Sequence, residues 1–283
     1  MDGFIFVDKD KNMTSRNVCN EVGKLFKSKK VGHNGTLDPF ATGLLIVSVN
    51  KGNKASTFLD DFVKEYEASL FLGEKTSTGD IEGEIIDTKD VKDFSLQEIK
   101  EVLSTFLGES QQLPPMTSAI KINGVKLYKL AHKGIEIERE KRKIFVHEIS
   151  LISYHDHLLK FKVKVSKGTY IRSLGEDIAE KLGTIGHLKE LRRIGVGPFK
   201  IDEAVKLSDL KEENIISIYD VLSRFCCVKE VNEKEKIDIK NGKIKYLDIN
   251  CYSYRLLIVD SYKEVIAIYE KENDKYVFKR GLF

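Results

Sequence analysis

Alternation between apolar and polar positions dominates several stretches of this chain. Residues 159–166 read LKFKVKVS, with Leu159, Phe161, Val163 and Val165 on one side and lysines on the other, the period of a half-buried strand. Residues 66–73 repeat the pattern through Tyr66, Ala68, Leu70 and Leu72. The apolar runs at 3–9 and 44–49, and the segment 191–199, predict buried strands. Residues 76–87 predict a turn between paired strands. Helical spacing replaces alternation elsewhere. Val18, Val22, Leu25 and Phe26 follow a cap at Thr14 or Ser15. Ile99, Val102, Leu103 and Phe106 follow a capping box of Ser95 and Glu98, with Gly108 as the stop. Ile171, Leu174, Ile178 and Leu182 precede Gly183. Residues 55–62 predict a short helix, and a further helix is expected from Ser208 to about Leu222. Residues 225–283 show strand-like runs and no helical period. Strands and helices mix without a regular βαβ repeat, so the expected class is α+β with a mostly antiparallel central sheet.

Length and composition narrow the picture. With 283 residues, 41% of them hydrophobic, the chain can bury a sizeable core. The expected division is a larger unit over 1–224 and a small β domain over 225–283. Four cysteines, none in CxxC spacing, argue against a zinc site or a disulfide framework. No basic leader precedes a long apolar run, and no run is long enough to span a bilayer, so a cytoplasmic location is expected. The net charge is only +3, but residues 116–143 hold eight Lys/Arg against three Glu, leaving the remainder slightly acidic. This segment also carries a proline pair ahead of it and an Asn-Gly turn.

The chemistry centres on GHNGTLDPFATG, residues 32–43, where one carboxylate, Asp38, stands among three glycines and a proline. Alone, Asp38-Pro39 reads as a helix N-cap and first-turn pair. Arg172 changes the weighting. Near the start of its helix it faces the positive end of the helix dipole, a poor place for a cation unless a carboxylate accompanies it. Tyr66, in phase with the apolar face of its strand, reads either as a core tyrosine or as a ring at the sheet rim that stacks on a flat substrate.

Taken together, VGHNGTLDPFATGLL, KEYEASLFLG, LPPMTSAIK, SKGTYIRSLGEDIAEKLG and HLKELRR resemble, in order and spacing, the motifs of bacterial tRNA pseudouridine-55 synthases, the TruB family. The resemblance runs from about residue 3 to residue 200. It implies a pseudouridine-synthase catalytic domain with helices flanking the sheet, a thumb-like RNA-gripping insertion at about 113–143, and a small C-terminal PUA-like β domain. It implies isomerisation of the T-loop uridine at position 55 of tRNA by base flipping and covalent catalysis, without metal or cofactor. Asp38 corresponds to the catalytic aspartate, Arg172 to the arginine that pairs with it, and Tyr66 to the tyrosine that stacks on the base. His33 corresponds to the residue that enters the RNA where the base left, and Tyr170 and Leu191 to the lining of the base pocket. Lys9, Lys121, Lys126, Lys129 and Lys133 join the expected substrate-binding residues, with Arg139 and Lys141–Lys143 as further phosphate contacts. Departures from the family pattern are Asp10 and Asn12 in place of Pro and Gly, Asn34 in place of Thr, Ser77 in place of Asp, and Thr117 in place of Tyr. A tRNA-folding chaperone acting by binding alone is the alternative, and a relative dependent on guide RNA and protein partners is a third reading. The chain's own insertion and compact length favour a monomer that needs no protein partner.

Overall fold

The computed structural model describes residues 2–118, 120–122, 124–127, 130, 134–135 and 137–283, with the backbone alone for 121, 122, 125 and 126. The first part of the chain forms β1 (Gly3–Lys9), α1 (Ser15–Leu25), β2 (Val31–Asn34), β3 (Thr42–Val49), α2 (Gly52–Ala55) and β4 (Lys64–Leu72). A paired hairpin, β5 (Glu74–Thr76) and β6 (Ile85–Thr88), precedes α3 (Leu96–Ser104) and β7 (Gly108–Gln112). The two-residue strands β8 (Lys121–Ile122) and β9 (Val125–Lys126) pair within the insertion. Then come β10 (Arg142–His155), β11 (Leu158–Val165), α4 (Ile171–Lys181), β12 (Gly186–Val196), β13 (Phe199–Lys200), β14 (Val205–Lys206) and α5 (Ile218–Leu222).

Ten of these strands make one sheet in the order β14-β1-β3-β12-β4-β11-β10-β7, with β13 beside β12 and β2 beside β3. Pairing is antiparallel except at β1–β14 and β3–β12. The alternation read from the sequence fixes which side chains go inward. Leu159, Phe161, Val163 and Val165 of β11 are all at most 1% exposed, and they meet Leu70, Leu72 and the helices α1, α3 and α4 in one core. The opposite faces of β1 and β3 supply Phe4, Phe6, Leu44 and Ile46 to a second core, which also takes Val221, Leu257, Val259 and Ile268. That core joins the large sheet to a second sheet of β15 (Cys227–Glu230), β16 (Tyr246–Leu247), β17 (Arg255–Val259), β18 (Val265–Glu272) and β19 (Lys275–Gly281). No helix of the described residues is long and apolar enough to cross a membrane.

Four expectations need correction. The helix over Ser208–Leu222 is confined to α5, because Ile216 is committed to the sheet edge: its N–H donates to the Phe4 carbonyl at 2.8 Å and its carbonyl accepts from the Phe4 N–H at 2.9 Å. Residues 225–283 contain a helix, α6 (Glu233–Lys240), started by a capping box of Asn232 and Glu235. It shows no apolar period because only Ile239 of its residues is buried. The short helix placed at 55–62 lies earlier, with α2 at Gly52–Ala55 followed by a 3-10 turn at Ser56–Leu59. Cys227 and Cys251 are joined in a disulfide, their Cα atoms 6.5 Å apart, because parallel pairing of β15 with β17 brings the two segments together.

Candidate active site

Asp38 sits in the loop between β2 and β3, and that loop is anchored on both sides of it. The Ser15 hydroxyl, at the first position of α1, accepts from the Leu37 N–H at 2.9 Å and donates to the Leu37 carbonyl at 3.1 Å. On the other side, the Pro39 carbonyl accepts from the Asn12 N–H at 2.9 Å and from Lys9 Nζ at 3.2 Å. The sequence reading grouped Lys9 with the substrate-binding residues. Its side chain is instead fully buried, and its ammonium also donates to the carbonyls of Asp10 at 2.9 Å and Met13 at 2.7 Å. Three donors meet three carbonyls, so Lys9 braces the loop and has nothing left for a ligand. Asn12 stands at φ 65°, a left-handed conformation that asparagine tolerates far better than most residues, which accounts for Asn where Gly is usual. Gly43 is required at the loop's end. A Cβ there would lie 2.3 Å from the Arg193 carbonyl, across the contact where β3 meets β12.

Arg172, in the first turn of α4, reaches the loop across 134 positions of sequence: its Nε donates to Asp38 Oδ2 at 2.9 Å. The guanidinium is 4% exposed and the carboxylate 33%. The remaining donors are held by the Thr78 carbonyl at 2.9 Å, the Thr117 carbonyl at 3.1 Å and the Thr117 hydroxyl. Thr117, expected only to remove an aromatic ring, therefore helps to orient the arginine. Asp80 approaches Arg172 Nε at 3.5 Å and is itself held by the Thr78 hydroxyl at 2.6 Å and the Glu82 N–H at 3.0 Å. The sequence reading did not single out Asp80. Burial raises the Asp38 pKa above the ordinary carboxylate value, with the Asp80 charge adding to the rise and Arg172 and Lys9 opposing it. Asp38 caps no helix; its carboxylate is turned to the arginine.

A cavity of about 270 Å³ opens over this pair, walled by Lys64, Tyr66, Tyr170, Leu191 and Arg193 as well as Asp38 and Arg172. Tyr66 stands on β4 between Val163 of β11 and Arg193 of β12, and Leu191 faces Ala68 two positions along the same ladder. Tyr170 immediately precedes α4, and its backbone is clamped by Gln112: the amide Nε2 donates to the Tyr170 carbonyl at 3.0 Å and Oε1 accepts from its N–H at 2.8 Å. Gln112 ends β7, so the edge strand of the sheet positions the helix that carries Arg172. Nothing in the local sequence signals this 58-residue link. His33 lies on β2 opposite Val47, half-buried and outside the cavity wall. Thus Asp38, Tyr66, Arg172, Tyr170 and Leu191 converge, while His33 stands on the strand leading into the loop.

Of the insertion lysines, Lys129 and Lys133 lie outside the described residues, and only the backbone of Lys121 and Lys126 is described. Arg139 donates to the Pro114 carbonyl at 2.9 Å, tying the end of the insertion to its root.

Residues 23–171 match the TruB family pseudouridylate synthase (N terminal domain), and residues 172–221 match the tRNA pseudouridylate synthase B C-terminal domain. The chain belongs to the TruB family. It is similar to tRNA pseudouridine synthase B of Geobacter sulfurreducens, at 47% identity over 212 residues, 75% of this chain and 70% of that protein. The protein of the same name from Clostridium tetani is 40% identical over 281 residues, 98% of this chain and 94% of that one. The fold also superposes on a chain of a Cbf5-Nop10-Gar1 complex with a TM-score of 0.75, at 23% identity, over 99% of this chain and 85% of that one.

This TruB family member has a basic surface that the charge count along the sequence concealed. Lys27, Lys29, Lys30, Lys51 and Lys54 border one groove beside the C-terminal Phe283, whose carbonyl accepts from Lys54 Nζ at 3.0 Å. The lysines come from two separate segments, which the intervening sequence dilutes; the run KSKK at 27–30 is the only local signal.

Proposed function

We propose that this TruB family member converts the T-loop uridine at position 55 of tRNA to pseudouridine, with Asp38 as the covalent catalyst. The observation that carries the reading is the Asp38–Arg172 pair on the floor of a cavity walled by Tyr66, Tyr170 and Leu191. The uridine leaves its stack, which costs a few kcal/mol, and its base enters beside Tyr66. Asp38 attacks the nucleotide, at the ribose or at the uracil. The N1–C1′ bond breaks, the base turns, C5 bonds to C1′, the bond to Asp38 breaks and returns the free carboxylate, the C5 proton departs and N1 gains a proton. The product is an isomer of the substrate, so atoms and electrons balance without an added reactant. The braced loop holds the nucleophile within reach before substrate arrives. Arg172 favours the ionised form that burial disfavours. Tyr66 stacks on the base and is placed to exchange a proton.

Residues 1–224 form the catalytic unit in this reading, residues 113–143 close on the RNA, and residues 225–283 act as a small RNA-binding domain. His33 fills the gap left by the flipped base. The enzyme works as a cytoplasmic monomer. The lysine groove shares no wall residue with the catalytic cavity. That separation supports a second role, refolding of tRNA by binding alone. The test uses tRNA carrying 5-tritiated uridine. Asp38→Asn abolishes tritium release while tRNA still binds, and full release by that variant sinks the reading. Restoration of tRNA folding by the same inactive variant, as well as by wild type, establishes the second role.

A further inference from the structure

Two cations in the wall of the catalytic cavity have no ion-pair partner among the described residues. Lys64, at the start of β4, is 9% exposed, and Arg193, on β12, is 1% exposed. Among the described residues no carboxylate lies within the 4.0 Å ion-pair distance of either. Lys64 Nζ makes one hydrogen bond, to the Asp60 carbonyl at 2.9 Å. The Asp60 carboxylate is drawn away from it to Asn34 Nδ2 at 2.6 Å. The neighbouring Asp61 is occupied by Lys167, with Arg255 at 3.8 Å. Arg193 donates from Nε to the Leu44 carbonyl at 2.7 Å and from Nη2 to the Gly35 carbonyl at 3.1 Å, and its Nη1 makes no hydrogen bond among the described residues. Both cations converge on Gly35. A Cβ at that position would stand 3.3 Å from Arg193 Nη1 and 4.0 Å from Lys64 Cε.

A buried charge without a counter-charge is costly, and two like charges side by side are costlier. Burial first, and then Arg193, push the Lys64 pKa down to about 8, with Asp60 and Asp61 pulling it up and Lys167 pressing it further down. A cap for the 3-10 turn needs one neutral donor and no ammonium. The arrangement is understandable if an anion completes it. The ligand of the proposed function brings one: a flipped uridine remains joined to its chain by two phosphodiesters. Lys64 is two residues from Tyr66 on the same face of β4, the distance from a stacked base to its backbone.

We propose that Lys64 and Arg193 form the anion site for a phosphodiester flanking the extruded uridine, fixing how deeply the ribose is drawn toward Asp38. The inference rests on the reading that the substrate is an RNA carrying the target uridine. Two partners on one phosphate make it a point of register rather than of general attraction.

The experiment uses T-arm stem-loops in which one or the other flanking phosphate is an uncharged methylphosphonate. With wild-type protein, one of the two substitutions lowers kcat/KM by about 10- to 100-fold, the range for a lost charge-assisted hydrogen bond. Lys64→Met loses a similar factor on the natural stem-loop and nothing more on that methylphosphonate. Its salt dependence of binding is shallower by about one phosphate contact. KM of the wild type rises above about pH 8 as the ammonium deprotonates, whereas Lys64→Arg restores activity and flattens that rise. The inference is overturned if Lys64→Met equals wild type on the natural stem-loop, or if its loss recurs undiminished on both methylphosphonates. The Lys64→Arg profile decides the matter should Lys64→Met fold poorly: a rise in KM identical to wild type overturns the site. Absence of pseudouridine with wild-type protein on the natural stem-loop removes the functional reading and the phosphate site with it. Product formation that is indifferent to Lys64 removes the phosphate site alone.

Discussion

Arg172 and the pair Lys64–Arg193 line one cavity and are all buried, yet the protein provides for them in opposite ways. Arg172 has Asp38 at 2.9 Å, Asp80 at 3.5 Å, and carbonyls of Thr78 and Thr117 on its remaining donors. Lys64 and Arg193 have carbonyls only. Arg192, next in sequence to Arg193, points to the other face of β12 and finds Asp8 through two bonds of 2.9 Å each. A cation answered by acids inside the fold holds geometry. A cation left unanswered inside the fold is a standing cost, tolerated where a ligand supplies the charge. Under the proposed function, one wall of the cavity is a mount for the nucleophile and the other a receiver for the substrate.

Four substitutions probe this division, taken from the largest effect downward. Asp38→Asn removes the proposed nucleophile, and turnover falls by about 10⁴-fold or more while tRNA binding by filter retention is kept. Arg172→Met leaves Asp38 and Asp80 facing each other without their cation. The denaturation midpoint falls by an amount equivalent to about 3 kcal/mol, and activity is lost with it. An unchanged midpoint would show that Arg172 is not the mount described. Asp80→Asn tests the electrostatics of that mount. The Asp80 charge raises the Asp38 pKa, so its removal lowers that pKa and moves the acid limb of the kcat/KM profile to lower pH. A limb that stays put, or moves up, contradicts the assignment of that limb to Asp38.

Arg192→Ala is the smallest and serves as the control. Burial pushes the Asp8 pKa up, but Arg192 and Lys206 outweigh it and the net shift is downward. A carboxylate with a depressed folded pKa contributes stability above its unfolded value, and that contribution is lost as pH falls through the folded pKa. Arg192→Ala therefore costs about 1 kcal/mol near pH 7 and progressively less below pH 3.8, measured by urea unfolding across pH. Its turnover stays within about twofold of wild type, as expected of a half-buried pair on the face of β12 away from the cavity. A larger loss would mean that the two faces of β12 are not separate in function.

Much of this is legible in the sequence. The capping box at Ser95 and Glu98 is formed as read, and β11 buries the residues its alternation assigns. Motif order identified the loop of Asp38 and named Arg172, Tyr66, Tyr170 and Leu191, all of which reach one cavity. The reading failed where a distant partner competes for a local preference. Ile216 belongs to the edge beside Phe4 and not to a helix. Lys9 was grouped with the substrate-binding residues and proved to be enclosed by three carbonyls. Helix α6 carried its signal in Asn232 and Glu235, but with one buried residue it had no apolar stripe to reveal it.

By itself the sequence determined the local terms: which residues alternate, where helices start, which turns need a glycine, and the family whose motifs recur in order. These depend on neighbours within a few positions, so a string of residues contains them. Which charges meet was decided by tertiary structure, and of these pairs only Asp38–Arg172 was foreshadowed by the motifs. Arg172 finds Asp38 across 134 residues, and Asn34 takes the Asp60 carboxylate from Lys64 across 26. Electrostatics and desolvation act through space, and only the folded chain says which acid stands beside which base and which cation has no acid beside it.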